Sequence, residues 1–209
     1  MERDNEKTRK EDRVNLYMDP LNIFVLFNII ATFGANFGGA RKGLKSSIVP
    51  PKEKPKTVLQ WLPVLLSILT LVCLILGVFQ VGTLQYKNSY WHLRLIGMIV
   101  YLVFSWIQIW SYKALGDNYS QNVLIFRSHK LIEKGPFRII RHPQYLSQIL
   151  MDLGGGLATL SYLIIPLAII EIPFLIFRAS LEEKLLSKNF KDAFTAYKKK
   201  TGFMFPFIG

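Results

Sequence analysis

The stretch HPQYLSQILMDLGGGLATLSYLIIPLAIIEIPFLIFR, His142–Arg178, decides the fold. As a single helix its apolar part would overrun a hydrocarbon layer about 30 Å thick. It therefore reads as two runs, at about 143–160 and 162–178, reversed at a tight turn around Ser161. A helical hairpin of this kind returns the chain to the membrane surface it left.

Three more apolar runs precede it, at 21–40, 58–82 and 93–112. With 51% hydrophobic residues and a mean hydropathy of +0.27 over 209 residues, the chain is too apolar for an ordinary soluble domain. The predicted fold class is all-α: a multi-span integral membrane protein with five transmembrane helices, the last two forming the hairpin. A four-span version, in which the first run only dips into the membrane, stays open. Asn22, Asn28 and Asn36 weaken that first run, and Gly34 and Gly38 read equally as packing positions or as tolerated glycines.

The net charge of +12 would suggest nucleic acid in a soluble chain, but the basic residues lie mainly between and after the apolar runs. Loops 41–57 and 113–141 and the carboxyl-terminal segment hold 19 of the 26 Lys and Arg, which sets them inside and the amino terminus outside. Pro50, Pro51 and Pro55 stiffen the first basic loop. Tyr86, Tyr90, Trp91, Trp110 and Tyr112 gather near run ends as interfacial belts, with His92 among them. Residues 1–19 form a polar tail without the features of a cleaved signal peptide, and the segment after Arg178 reads as an amphipathic helix lying on the membrane. The chain thus divides into that tail, a three-span region at 20–112 with its basic loop, and a carboxyl-terminal region at 113–209.

Chemistry concentrates in the last region. Asp152 and Glu171 are costly inside apolar runs and mark functional candidates. Glu171, Arg178 and Glu182, spaced by seven and four, share one helix face, as do Tyr145 and Asp152 on the preceding helix. The hairpin would bring the segment His142–Tyr145 and the pair Arg178 and Glu182 to one membrane surface. His92, His129 and His142 have no metal-ligating spacing, the lone Cys73 excludes a cysteine cluster, and no phosphate-binding glycine loop or nucleophile elbow occurs. Gly154, Gly155 and Gly156 read as helix packing or local bending. The remaining donors, aromatic rings and carboxylates suit a charged cofactor that carries its own chemistry.

The run Gly135-Pro136-Phe137 to Arg141-His142-Pro143-Gln144-Tyr145 follows His129-Lys130-Leu131-Ile132 and precedes Arg178-Ala179-Ser180-Leu181-Glu182-Glu183. Together these segments resemble the isoprenylcysteine carboxyl methyltransferase family and its wider relatives among membrane methyltransferases, over about residues 113–209. The resemblance implies S-adenosylmethionine in a cytoplasmic pocket, held by His129, Lys130, Leu131, Ile132, Phe137, His142, Pro143, Gln144, Tyr145 and Glu182, with Asn122 as a further contact. Phe137 stands where the family commonly has tyrosine, which keeps the aromatic contact and loses the phenol. Arg178 matches a position implicated in the acceptor, so it is the expected catalytic residue, orienting a carboxylate for attack on the methyl group. The implied acceptor is an isoprenylcysteine-like lipid entering from the bilayer. A phospholipid or other amphiphile amine is the alternative, and a non-catalytic membrane transport component is the rival from another class. Arg141 and Glu183, taken singly, read as a headgroup anchor and a carboxylate pairing with lysines on a solvated helix.

Overall fold

The computed structural model describes residues 19–46 and 50–208, with side chains throughout these except 36–46. The polar tail up to residue 18 and the side chains of Asn36, Arg41, Lys42 and Lys45 lie outside the described part. Five helices form where the apolar runs predict them: α1 (Pro20–Ser46), α2 (Leu62–Val78), α3 (Trp91–Leu115), α4 (Pro143–Thr159) and α5 (Ile164–Lys200). Among the described residues there are no strands, only isolated bridges such as Glu53 with Ile125.

By length and composition three helices can cross a membrane: Val58–Val78, Asn88–Asn118 and Ile164–Lys200, the first two counted with their flanking turns. The apolar part of α1, Pro20–Ala35, is shorter, and α4 has 17 residues. The spanning part of α5 ends at Arg178, where charged residues begin. The helix does not stop there, however. It continues to Lys191, whose backbone leaves the helical region (φ 42°, ψ −112°), so the amphipathic segment is a rigid extension of the last span.

The hairpin turn is built by local chemistry. Pro143 opens α4 in the first turn, where no intrahelical N–H is needed. Leu160 closes it in the left-handed region at φ 52°, its N–H donating to the carbonyls of Gly156 and Leu157. The Ser161 hydroxyl then accepts the N–H groups of Leu163 and Ile164, both at 3.3 Å, and caps α5.

The glycine run permits the closest packing in the bundle. A Cβ on Gly154 would lie 2.6 Å from the Tyr101 nitrogen, and one on Gly97 2.6 Å from the Ala158 nitrogen, so α3 and α4 touch backbone to backbone. Gly34, by contrast, has open space within 4 Å, and the packing reading fails there. Val25, Leu74, Val78, Tyr101, Ala158 and Ile164 form the adjoining core.

The asparagines of α1 are interhelical ties. Asn22 Nδ2 donates to the Val78 carbonyl at 2.8 Å, and Asn28 accepts from Trp106 Nε1 at 3.0 Å and donates to Ser105 at 2.9 Å. Tyr86 bridges Asn22 and the Thr159 carbonyl, and so belongs to the bundle and not to an interfacial belt. Beside it, buried Arg94 holds Asp19 through two bonds of 2.6 and 3.0 Å, the Ala158 carbonyl at 2.9 Å and Asn22 at 3.1 Å. The far end of the bundle is thereby closed.

Candidate active site

At the opposite end the carboxyl-terminal strand of chain after Lys200 folds back on the entrance to α4. Arg141 N–H donates to the Gly202 carbonyl at 2.8 Å, His142 N–H to Phe203 at 3.1 Å, and Gly202 N–H to Ile139 at 3.1 Å. Arg141 is buried, its Nε 2.5 Å from Glu183 Oε1, and it also donates to the carbonyls of Thr201 and Lys198. The headgroup-anchor reading of Arg141 is therefore wrong: the guanidinium clamps the chain terminus. Glu183 is likewise no solvated partner of lysines alone, since it faces Arg141 and His142 as well as Lys198 at 2.9 Å. Burial would raise this carboxyl, but the hydrogen bonds of His142, Arg141 and Lys198 outweigh it and bring it down to about 2.

This clamp fixes His142 against a polar cleft. Asn122, His129, Lys130, Leu131, Ile132, Phe137, His142, Gln144, Tyr145 and Glu182 all line it. Of the residues expected to hold the cofactor only Pro143 does not, being buried in the first turn of α4. The Tyr145 hydroxyl donates to Glu182 Oε2 at 3.1 Å, with His142 Nδ1 3.7 Å from the same oxygen and its ring stacked on Tyr145. Asn118 and Lys130 exchange two bonds of 3.1 Å between the Asn118 amide and the Lys130 main chain, which holds the segment His129–Ile132 in the wall. Burial pushes the His129 imidazole down, opposed by the Glu182 carboxylate. Tyr197 brings a phenol into the same wall and donates it to the Phe137 carbonyl at 2.7 Å, so the ring at 137 is held by a hydroxyl from another helix.

A second cavity of about 390 Å³ lies on the membrane side of this cleft. Leu71, Leu74, Met151 and Leu175 give it apolar wall, while Gln108, Gln148, Asp152 and Arg178 give it polar wall. Gln108 Nε2 donates to Gln148 Oε1 at 2.6 Å, and Gln148 Nε2 to Asp152 Oδ2 at 2.7 Å, a chain of side-chain bonds running into the bundle. Glu171, fully buried, accepts from Ser67 at 2.7 Å. Tyr112 also lines this cavity, its ring 4.7 Å from Tyr119, which corrects its reading as a belt residue; Trp91 and Trp110 do remain exposed. Arg178 donates to the carbonyls of Leu59 and Gln121, and its Nε has no partner among the described residues. Ser120, Gln144 and Tyr145 belong to both cavities and form the wall between them.

Sequence reasoning missed Ser120, Gln148 and Gln108. Gln148 had a legible signal, a polar residue four before Asp152 on an apolar helix. Ser120 stands in the loop after α3, whose folding brings it to the wall.

The phospholipid methyltransferase family model matches residues 93–193, which spans α3, the cleft-forming loop, α4 and most of α5. Over that segment, just under half of the chain, the sequence is similar to phospholipid methyltransferases. Its fold is similar to the solved structure of a eukaryotic intramembrane Ras methyltransferase, isoprenylcysteine carboxyl methyltransferase, with a TM-score of 0.56 and 19% identity over 92% of this chain and 70% of that one. No match is found among curated protein sequences. The cleft and the cavity both lie largely within the matched segment.

Proposed function

We propose that the methyl donor is S-adenosylmethionine in the polar cleft, and that the acceptor is a lipid-like molecule entering the 390 Å³ cavity from the bilayer. The observation that carries this reading is the wall of Ser120, Gln144 and Tyr145 shared by a polar and a largely apolar cavity. The cleft's polar set fits the cofactor: His129 Nδ1 and Gln144 Oε1 are buried without hydrogen-bond partners among the described residues, a state that costs free energy unless a ligand relieves it. Glu182 and Gln144 Oε1 would accept bonds from its ammonium, and Leu131, Ile132 and Phe137 would cover the adenine ring. When bound, the cofactor supplies an electrophilic methyl on a sulfonium, and transfer needs no metal or covalent enzyme intermediate.

The protein's share is then positioning and exclusion of water. Arg178, which lines the acceptor cavity and whose Nε has no partner among the described residues, would orient an attacking carboxylate, as in an isoprenylcysteine. Asp152, whose carboxylate faces the same cavity, favours the second reading, an amine headgroup on a phospholipid or other amphiphile. The concentration of basic loops at this end supports a cytoplasmic cleft. Purified protein should bind S-adenosylmethionine saturably, and Glu182→Ala should weaken that binding by about tenfold or more, the value of a charge-assisted hydrogen bond. No saturable binding, with wild type and variant alike, would sink the proposal. Labelled methyl donor offered with farnesylcysteine analogues and with phospholipids separates the acceptors: base-labile volatile label marks an ester, and base-stable lipid label an amine.

A further inference from the structure

The last turn of the chain is unusual for its exposure. Phe205, Phe207 and Ile208 are 57%, 96% and 66% exposed at its tip, and Ile139, tied to it through the Gly202 bond, is 57% exposed beside them. The turn is also rigid. Phe203 N–H donates to Ile208 at 2.7 Å, and Gly202 is so enclosed that a Cβ would collide with the Phe205 carbonyl. Phe207 itself sits at φ 63°, a region a bulky side chain rarely occupies. Lys199, Lys200 and Arg138 flank these apolar side chains and are exposed. Ile139 and its neighbours lead directly into α4, so the turn lies at the level where the chain enters the apolar bundle.

The same segment walls the polar cleft. Beyond the break at Lys191, Phe194 and Tyr197 line it, and Phe203 packs edge-on against the His142 ring at 4.9 Å. The cleft encloses only about 60 Å³, several times less than small-molecule sites usually need. A cofactor would enter by a shift of this arm about the break at Lys191, against the bonds that Arg141 makes to it.

We propose that the terminal turn is a seat for the anionic headgroups of the adjacent bilayer, and that its occupation holds the arm 192–208 closed over the cleft. Aromatic and aliphatic side chains at the tip enter the headgroup boundary, and Lys199, Lys200 and Arg138 meet the negative surface. The coupling to the cleft rests on the cofactor reading above; the seat itself does not.

The seat is tested with the full chain in nanodiscs, carrying Phe207→Cys labelled with an environment-sensitive fluorophore in a Cys73→Ser background. Brominated lipid should quench the label, and quenching should deepen when phosphatidylglycerol is added to phosphatidylcholine and recede with salt. A label that stays in water in both lipid compositions overturns the seat. For the coupling, release of labelled S-adenosylmethionine should be roughly tenfold slower with phosphatidylglycerol, and Lys199→Gln with Lys200→Gln should erase that difference without changing release in phosphatidylcholine alone. Equal release in both lipids, or a lipid dependence that survives the double substitution, overturns the coupling. Absence of cofactor binding in every lipid would instead refute the reading of the cleft, and the fluorescence result would still decide the seat.

Discussion

Two buried arginines mark the two ends of the bundle, and their surroundings differ in completeness. Arg94 has all three nitrogens bonded, to Asp19, Asn22 and the Ala158 carbonyl, with the Tyr86 ring 3.7 Å from its guanidinium carbon. Arg178 is bonded to two carbonyls, keeps Nε unpartnered among the described residues, and lines a cavity. A buried charge fully enclosed by partners holds helices together; one left incomplete beside a cavity is poised for a ligand. The difference separates a structural end from a working end more clearly than residue type does.

The comparison can be broken most severely at Arg94. Replacing it by Met leaves Asp19 uncompensated and should cost about 3–5 kcal/mol of stability in denaturant unfolding, with cofactor affinity intact in the folded fraction. A stable Arg94→Met protein that no longer binds cofactor would reverse the assignment of the two ends. Arg178→Ala should do the opposite: methyl transfer falls about a hundredfold while donor affinity stays within about twofold, and a parallel loss of both would contradict its role toward the acceptor. Gly154→Ala, at the backbone contact between the two ends, should cost about 1–3 kcal/mol through overpacking, and an unchanged melting temperature would show that α3 and α4 can separate freely. The smallest effect concerns Glu183 and is read on the acid side. Because its carboxyl is depressed to about 2 from an ordinary 4.5, its stabilisation is fully present above pH 4.5 and is lost as pH falls toward 2. Glu183→Gln should therefore flatten the acid limb of the unfolding profile over that window, whereas an acid limb identical to wild type would remove Glu183 from the clamp.

Much of the cleft was legible because its parts are local. His129–Ile132 and His142–Tyr145 are short segments, and Arg178 and Glu182 are one helical turn apart on a helix whose face the heptad spacing already indicated. The hairpin followed from run length and the turn at Ser161. Arg94 was the plain omission: an ionisable residue one turn inside an apolar run carries the same signal as Asp152 or Glu171, but it was absorbed into the start of the third span. Its partners could not have been read, since Asp19 and Asn22, Tyr86 and the Ala158 carbonyl converge from three separate segments. Arg141 failed for a related reason. Besides Glu183, its acceptors include carbonyls near the chain terminus about 60 residues away, and backbone acceptors leave no mark in a side-chain pattern.

The wall of Ser120, Gln144 and Tyr145 has a consequence for traffic. Under the proposed function, one reactant dissolves in water and the other in hydrocarbon, and neither has to cross into the other's medium to meet. The methylated lipid can diffuse back sideways and the spent nucleoside can leave to the aqueous side, so the products part by solubility. The enzyme would then act as a phase-transfer catalyst whose interface is three side chains wide.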